Sequence, residues 1–225
     1  FHRYTGLALL IPVLLLATTG AFLEFTNQLK LGSTGVPYTW VHKQYSIVPP
    51  PTSRQSGGIV QLGDRLFSPD RDLKVDGEMR GAQSLELIDM IFLDQTLVIL
   101  PKDAAVPAEV SPLPDYQVAG VTPEMNWVLD TGSGFLFSED LGANWGPGQL
   151  LGVRWLEVTT ASPSPELAQR YGAAHLSWER WLQDLHSGRF FGPIGVWVMS
   201  IAAIAFLALA ITGLVVWLSS PRRER

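Results

Sequence analysis

The sequence predicts a membrane protein of the α+β class, in which two transmembrane helices flank a mainly antiparallel β domain and an amphipathic helix leads into the second span. Three observations predict it. Between Arg189 and Arg222 there is no charged side chain, a run longer than the ~20 apolar residues that cross a hydrocarbon core. Tyr4 to Leu23 is a second charge-free run of about bilayer length. Between the two lie short alternating or β-branched runs separated by turn signals. A mean hydropathy of +0.17 over 225 residues agrees with anchors at the ends and a water-facing middle.

The stretch from Leu185 to Trp217 is the strongest of these signals. A globular helix keeps a polar face, and this one has none, so it reads as a span. There are no cysteines, which excludes disulfides, iron–sulfur clusters and thiolate metal sites. The net charge of -5 is spread along the chain, without the basic stripe and interleaved aromatics that bind nucleic acid. The first residue is Phe rather than Met, so the expectation is a chain that continues upstream.

Residues 1–25 form the first transmembrane helix, read as an uncleaved anchor, with Pro12 predicted to kink it by removing one backbone donor. Residues 26–56 read as an ordered linker, with Gly32, Gly35 and Pro37, the aromatics Tyr38, Trp40 and Tyr45, and the run Pro49–Pro51. The aromatics belong either at the headgroup level or beneath the domain. His42 is read as a solvated or hydrogen-bonded histidine. Residues 57–160 form the β domain, with strands expected at 58–62, 65–67, 90–93, 96–100, 116–121, 126–129, 134–138 and 153–159. Asp94-Gln95 and residues 131–134 fall where hairpin loops belong. Two blade-like meanders packed as a small sandwich would use these strands.

Residues 164–188 read as one amphipathic helix. Ser164 is its N-cap, Pro165 its first helical residue, and Glu166 suits the positive end of the dipole. Leu167, Tyr171, Ala174, Trp178, Trp181, Leu182 and Leu185 make its apolar stripe. Residues 189–219 form the second span, and its small residues Ala202, Ala205, Ala208 and Thr212 permit a close helix neighbour. Residues 220–225 are a basic tail. With basic residues at both outer ends, both termini are expected in the cytoplasm and the central domain in the periplasm of a bacterial inner membrane.

Ser138-Glu139-Asp140-Leu141-Gly142-Ala143-Asn144-Trp145 resembles the Asp-box found on β-hairpins of sialidases and other propeller proteins, with Asn144 where Thr is usual. It is a folding device, in which Asp ties the turn, Gly permits positive φ and Trp packs over the hairpin. It implies no glycosidase activity. Glu124, Asp130, Glu139, Asp140 and Glu157 read as solvated turn residues rather than a catalytic pair, and Ser133 as a loop serine. Trp127, Trp145 and Trp155 read as core residues rather than a glycan- or peptide-binding face.

Both spans resemble the PepSY-associated transmembrane family, on His2-Arg3-Tyr4-Thr5-Gly6, Leu185-His186-Ser187-Gly188 and the pairs Thr19-Gly20 and Thr212-Gly213. Larger relatives include ferric-siderophore reductases that hold b-type haem by histidines, and the resemblance implies His2 and His186 as the haem ligands. A bis-histidine haem needs two imidazoles at one depth, whereas His2 and His186 fall at opposite ends of the membrane, so a homodimer is required. His175, eleven residues before His186 on one continuous helix, would stand roughly 16 Å from it. No catalytic residue and no metal-ligand set is read from the sequence.

The expected function is a non-catalytic accessory protein, without a cofactor, whose β domain contacts another membrane or periplasmic protein. The alternative is a dimeric haem b protein in ferric-siderophore reduction or transmembrane electron transfer. Membrane lipid is a partner on either reading; nucleic acid is on neither.

Overall fold

The computed structural model describes residues 2–69, 71–103, 109–148 and 152–219, with side chains from residue 9 onward except that of Glu109. The basic tail at 220–225, and the side chains of His2, Arg3, Tyr4 and Thr5, therefore lie outside the described residues. The chain forms two compact units, Phe1–Ser46 with His175–Arg225, and Ile47–Ala174.

Helix α1 (His2–Glu24) continues through Pro12. Thr18 and Thr19 donate their hydroxyl protons to Leu14 O and Leu15 O, one turn back, at 2.7 and 2.6 Å, which hides both groups from an apolar surrounding. Leu10, Ile11, Leu14 and Phe22 stand exposed along it. The following segment is less of a linker than its composition suggests. It contains α2 (Thr39–Gln44), whose Val41 is fully buried, and the wholly buried Val36. Glycine and proline there mark turns between packed residues.

The second unit begins at residue 47, ahead of the expected 57, because β1 (Ser53–Ser56) belongs to its first sheet. In that sheet β2 (Ile59–Leu62), β3 (Arg65–Phe67) and β4 (Asp72–Lys74) follow as an antiparallel meander. A second meander comprises β5 (Met79–Ser84), β6 (Ile88–Leu93), β7 (Thr96–Pro101) and β8 (Glu109–Pro112). A third is built from β9 (Val118–Val121), β10 (Trp127–Asp130), β11 (Phe135–Ser138) and β12 (Gly146–Pro147). The stretch expected as one strand at 153–159 is broken. β13 (Arg154–Trp155) pairs with β9, and β14 (Thr159–Ala161) crosses to pair with β1.

Three meanders, not two, make this unit, and the central one explains the difference. Side chains alternate across a strand, so β6 sends Met90 and Phe92 into one core with Trp127, Leu129 and Leu156, and Ile91 and Leu93 into another with Ile59 and Leu66. A sheet covered on both faces needs a neighbour on each side. β5 lies outside the expected strands because burial does not alternate along it; Gly81 is there to admit Leu156, whose Cβ would lie 2.7 Å from any Cβ at that position.

Polar side chains tie the layers. Gln61, 5% exposed, donates to Gly77 O at 2.8 Å and accepts from Met79 N at 2.7 Å, joining β2 to the start of β5. Helix α3 (Pro165–His175) is fastened to the first sheet by Arg170, which pairs with Asp72, donates to Ser68 O at 2.9 Å and lies over the Phe67 ring. The Asp-box hairpin has the expected form. Ser138 Oγ donates to Asp140 Oδ1 at 2.8 Å and accepts from Gly142 N at 2.8 Å, while Asn144 donates to the same carboxylate through its backbone and its amide at 2.9 and 2.6 Å. Gly142 has φ +88°, and a Cβ there would run into Leu97. Trp145 packs against the first of the two cores.

The helix expected over 164–188 is two helices. α3 ends at His175, and α4 (Trp178–His186) starts afresh behind Ser177, whose Oγ accepts from Arg180 N at 3.2 Å. The break frees backbone groups that bond the chain's earlier half: Val36 N to Leu176 O at 2.8 Å, Trp178 N to Thr34 O at 3.0 Å and Glu179 N to Leu31 O at 3.1 Å. A 3-10 turn (Arg189–Phe191) then leads into α5 (Gly192–Ser219). Gly188 and Gly195 touch backbone to backbone there, leaving no room for a Cβ on either. α1 packs on both α4 and α5. Along α5, Ile194, Trp197, Ile201 and Ile204 are 60–77% exposed. The 31-residue helical segment Arg189–Ser219 is long and apolar enough to cross a membrane, and the described part of α1 contributes a shorter apolar helix, Leu9–Glu24.

Two outcomes follow for the full chain unfolded in detergent. Gln61→Leu should lower stability by about 1–3 kcal/mol, because it strands the buried Met79 amide and removes the bond to the Gly77 carbonyl. Asp140 is held below the ordinary carboxylate value of 3.8, at about 2, by its bonds from Asn144 and Ser138. Its stabilising effect is thus full above 3.8 and lost as pH falls through 2, and over that window the unfolding midpoint of Asp140→Asn should fall less steeply than that of the wild type.

Candidate functional site

The side chains with chemistry to offer in the first unit gather where α4 ends. His186 is the last residue of α4, and its Nδ1 lies 2.9 Å from Thr19 Oγ1 on α1. Thr19 has one hydroxyl proton, already given to Leu15 O. With that proton on Leu15 O, its oxygen is free to accept from His186 Nδ1–H, the arrangement in which Nε2 would be the nitrogen open to a ligand. Gly20 makes the space, since a Cβ there would sit 3.4 Å from His186 Cε1.

Two residues earlier, Asp184 is 3% exposed and holds three donors. Arg180 Nε reaches its Oδ2 at 3.0 Å, Arg189 Nε its Oδ1 at 2.9 Å, and Tyr45 donates its phenol to Oδ2 at 2.9 Å. Burial, reinforced by that bond to the carboxylate, pushes the Tyr45 phenol well above its ordinary value, so it stays a neutral donor. Around this group Tyr38, Trp40, Trp178, Trp181 and Phe190 meet mostly edge to face, with centroids 5.1–6.5 Å apart. The aromatics of the supposed linker pack on α4.

The other residues singled out in the sequence stand apart from this cluster. His42 is 4% exposed and bonds Val36 O through Nε2 at 2.7 Å, the hydrogen-bonded histidine expected. His175 ends α3, so the spacing drawn along one continuous helix to His186 does not apply. Glu124, Glu139, Asp140 and Glu157 are exposed, Asp130 accepts from Gly132 N at 2.8 Å, and Ser133 lies beside Thr131 in its loop. Trp127 is 1% exposed in the core. Among the described residues no group of three or more His, Asp or Glu gathers to hold a metal ion.

The donor set of one chain does not fit a bis-histidine haem. His186 meets α1 at Thr19, and His2 begins that helix some 25 Å away at about 1.5 Å per residue. The His2 side chain lies outside the described residues. Sequence reading singled out His186, by resemblance, and passed over the Asp184 cluster. The spacing of Arg180 and Arg189 about Asp184 was its one visible trace, since an acid with a base at i−4 is a helix pair. Tyr45, 139 residues distant, left none.

Asp184→Asn should lower the unfolding midpoint in detergent, at a cost of about 2–3 kcal/mol, by removing the charge that three donors share; Tyr45→Phe should cost about 1 kcal/mol.

No curated protein and no solved structure matches the chain. A family model described as the PepSY-associated TM region matches residues 1–220, taking in both apolar helices, the Thr19–His186 contact and the β unit between them. The chain is therefore a membrane protein that belongs to the PepSY-associated TM region family.

Proposed function

We propose that this chain is a non-catalytic accessory protein that presents its β unit to another membrane or periplasmic protein, as a subunit of a larger complex in a bacterial inner membrane. The observation that carries the reading is the way the chain is divided. The β unit, Ile47–Ala174, is wholly inserted between the two halves of the helical unit, and its entry and exit are joined by backbone bonds between residues 31–36 and 176–179. In this reading α1 is a second span, and an even number of spans with basic outer ends puts the β unit outside the cytoplasm. The edge strands β4 and β14, short and largely exposed, offer main-chain groups to a partner.

One observation favours a second reading, a homodimer that binds haem b. Thr19 Oγ1 holds His186 through Nδ1 at 2.9 Å, the kind of partner that orients an imidazole to offer Nε2 to an axial position. The opposing imidazole would come from a second chain, His186 facing its symmetry mate and His2 likewise.

Gentle purification in detergent, with an absorption spectrum of oxidised and dithionite-reduced protein and a gel of co-purifying chains, separates the two. The accessory reading expects a colourless preparation with a stoichiometric partner, retained by His186→Ala and weakened by Ala205→Phe on the small-residue face of α5. A Soret band abolished by His186→Ala overturns it in favour of the haem reading.

A further inference from the structure

Arg180 and Arg189 are held in an unusual way. Each bonds the buried Asp184 through Nε alone, on opposite oxygens of one carboxylate, and each side chain remains 61 and 57% exposed respectively. The terminal nitrogens of both guanidiniums have no partner among the described residues. Two cations against one buried anion leave a net positive charge, and Tyr45 adds none because its phenol stays protonated. Glu179, the nearest acid on α4, is engaged by Gln183 at 3.2 Å and turned toward Gly32. The cluster opens on a cleft of about 220 Å³ lined by Gln44, Tyr45, Asp184, Arg189, Phe190 and Gly192.

The location identifies the ligand. Forked N–H groups fixed in advance suit phosphate oxygens, which occur on free phosphate and on lipid headgroups alike. Here the apolar helix begins at Gly192, three residues beyond Arg189, and Phe191, Ile194 and Trp197 are 57, 77 and 70% exposed just past the cluster. A ligand whose phosphate met the arginines would lay its acyl chains along those residues, at the depth where indole and phenol rings collect. We propose that Arg180 and Arg189, clamped by Asp184 at the head of the membrane helix, bind the phosphate of an anionic membrane phospholipid. Asp184 is a positioning residue in this site. It removes the rotamer freedom that two long side chains would otherwise lose on binding, and leaves their phosphate-facing nitrogens unused.

The test is lipid retention by the full chain in detergent, read by native mass spectrometry against phosphatidylglycerol, phosphatidylcholine and inorganic phosphate. The wild type should retain phosphatidylglycerol over phosphatidylcholine, with the preference shrinking as salt is raised. Arg180→Gln with Asp184→Asn and Arg189→Gln, which removes the cations without stranding a buried carboxylate, should weaken phosphatidylglycerol binding by roughly tenfold or more. Equal retention of the two lipids by the wild type overturns the proposal, and so does undiminished phosphatidylglycerol binding by a folded triple variant. Displacement of the lipid by millimolar inorganic phosphate would overturn the lipid as the source. If the triple variant does not fold, the wild-type preference and its salt dependence decide the question alone.

Discussion

The backbone clamp between residues 31–36 and 176–179 is the constraint on which the rest of the helical unit depends. Three N–H to carbonyl bonds of 2.8–3.1 Å bring together segments some 140 residues apart in the chain. Closing so long a loop carries an entropic cost that grows only slowly with its length, and buried packing offsets it: Val36 and Val41 are fully buried, and Leu176 nearly so. The clamp also explains why α3 and α4 are separate. A continuous helix would consume the Leu176 carbonyl and the Trp178 amide internally, and they would no longer be free to bond the incoming strand.

Within that frame, α4 does two things at its C-terminal end. It places His186 on Thr19, and it places Asp184 among Arg180, Arg189 and Tyr45. A carboxylate this close to an apolar span is tolerable only when its lone pairs are filled, and three donors fill them. The same arrangement ties down two arginines whose side chains stay more than half exposed. A group needed to neutralise a buried charge is thus also presented to the surroundings.

The β unit follows a different logic. Its stability lies in two cores on opposite faces of one central meander, and the first two sheets are joined by polar links through Gln61 and Ser56. The crossing from β13 to β14 carries the chain from the third sheet to the first.

The sequence by itself determined what depends on local composition. The charge-free run became α5, because no water-facing helix avoids charge for so long. The Asp-box became its hairpin, because its bonds span only a few residues. The strands with apolar alternation, β2, β3, β6, β7 and β9 to β11, lie where that alternation put them, and Leu-His-x-Gly drew attention to His186 by its resemblance to the family's motif. Tertiary structure decided the rest. β1, β4, β5, β8 and β12 carry weak patterns and are strands because a neighbour supplies their hydrogen bonds. The third meander exists because both faces of β6 had to be covered. The contact of His186 was supplied by a threonine on another helix, and the Asp184 cluster was completed by a tyrosine far away in the chain. In each case the deciding partner is distant in sequence, where no local pattern can register it.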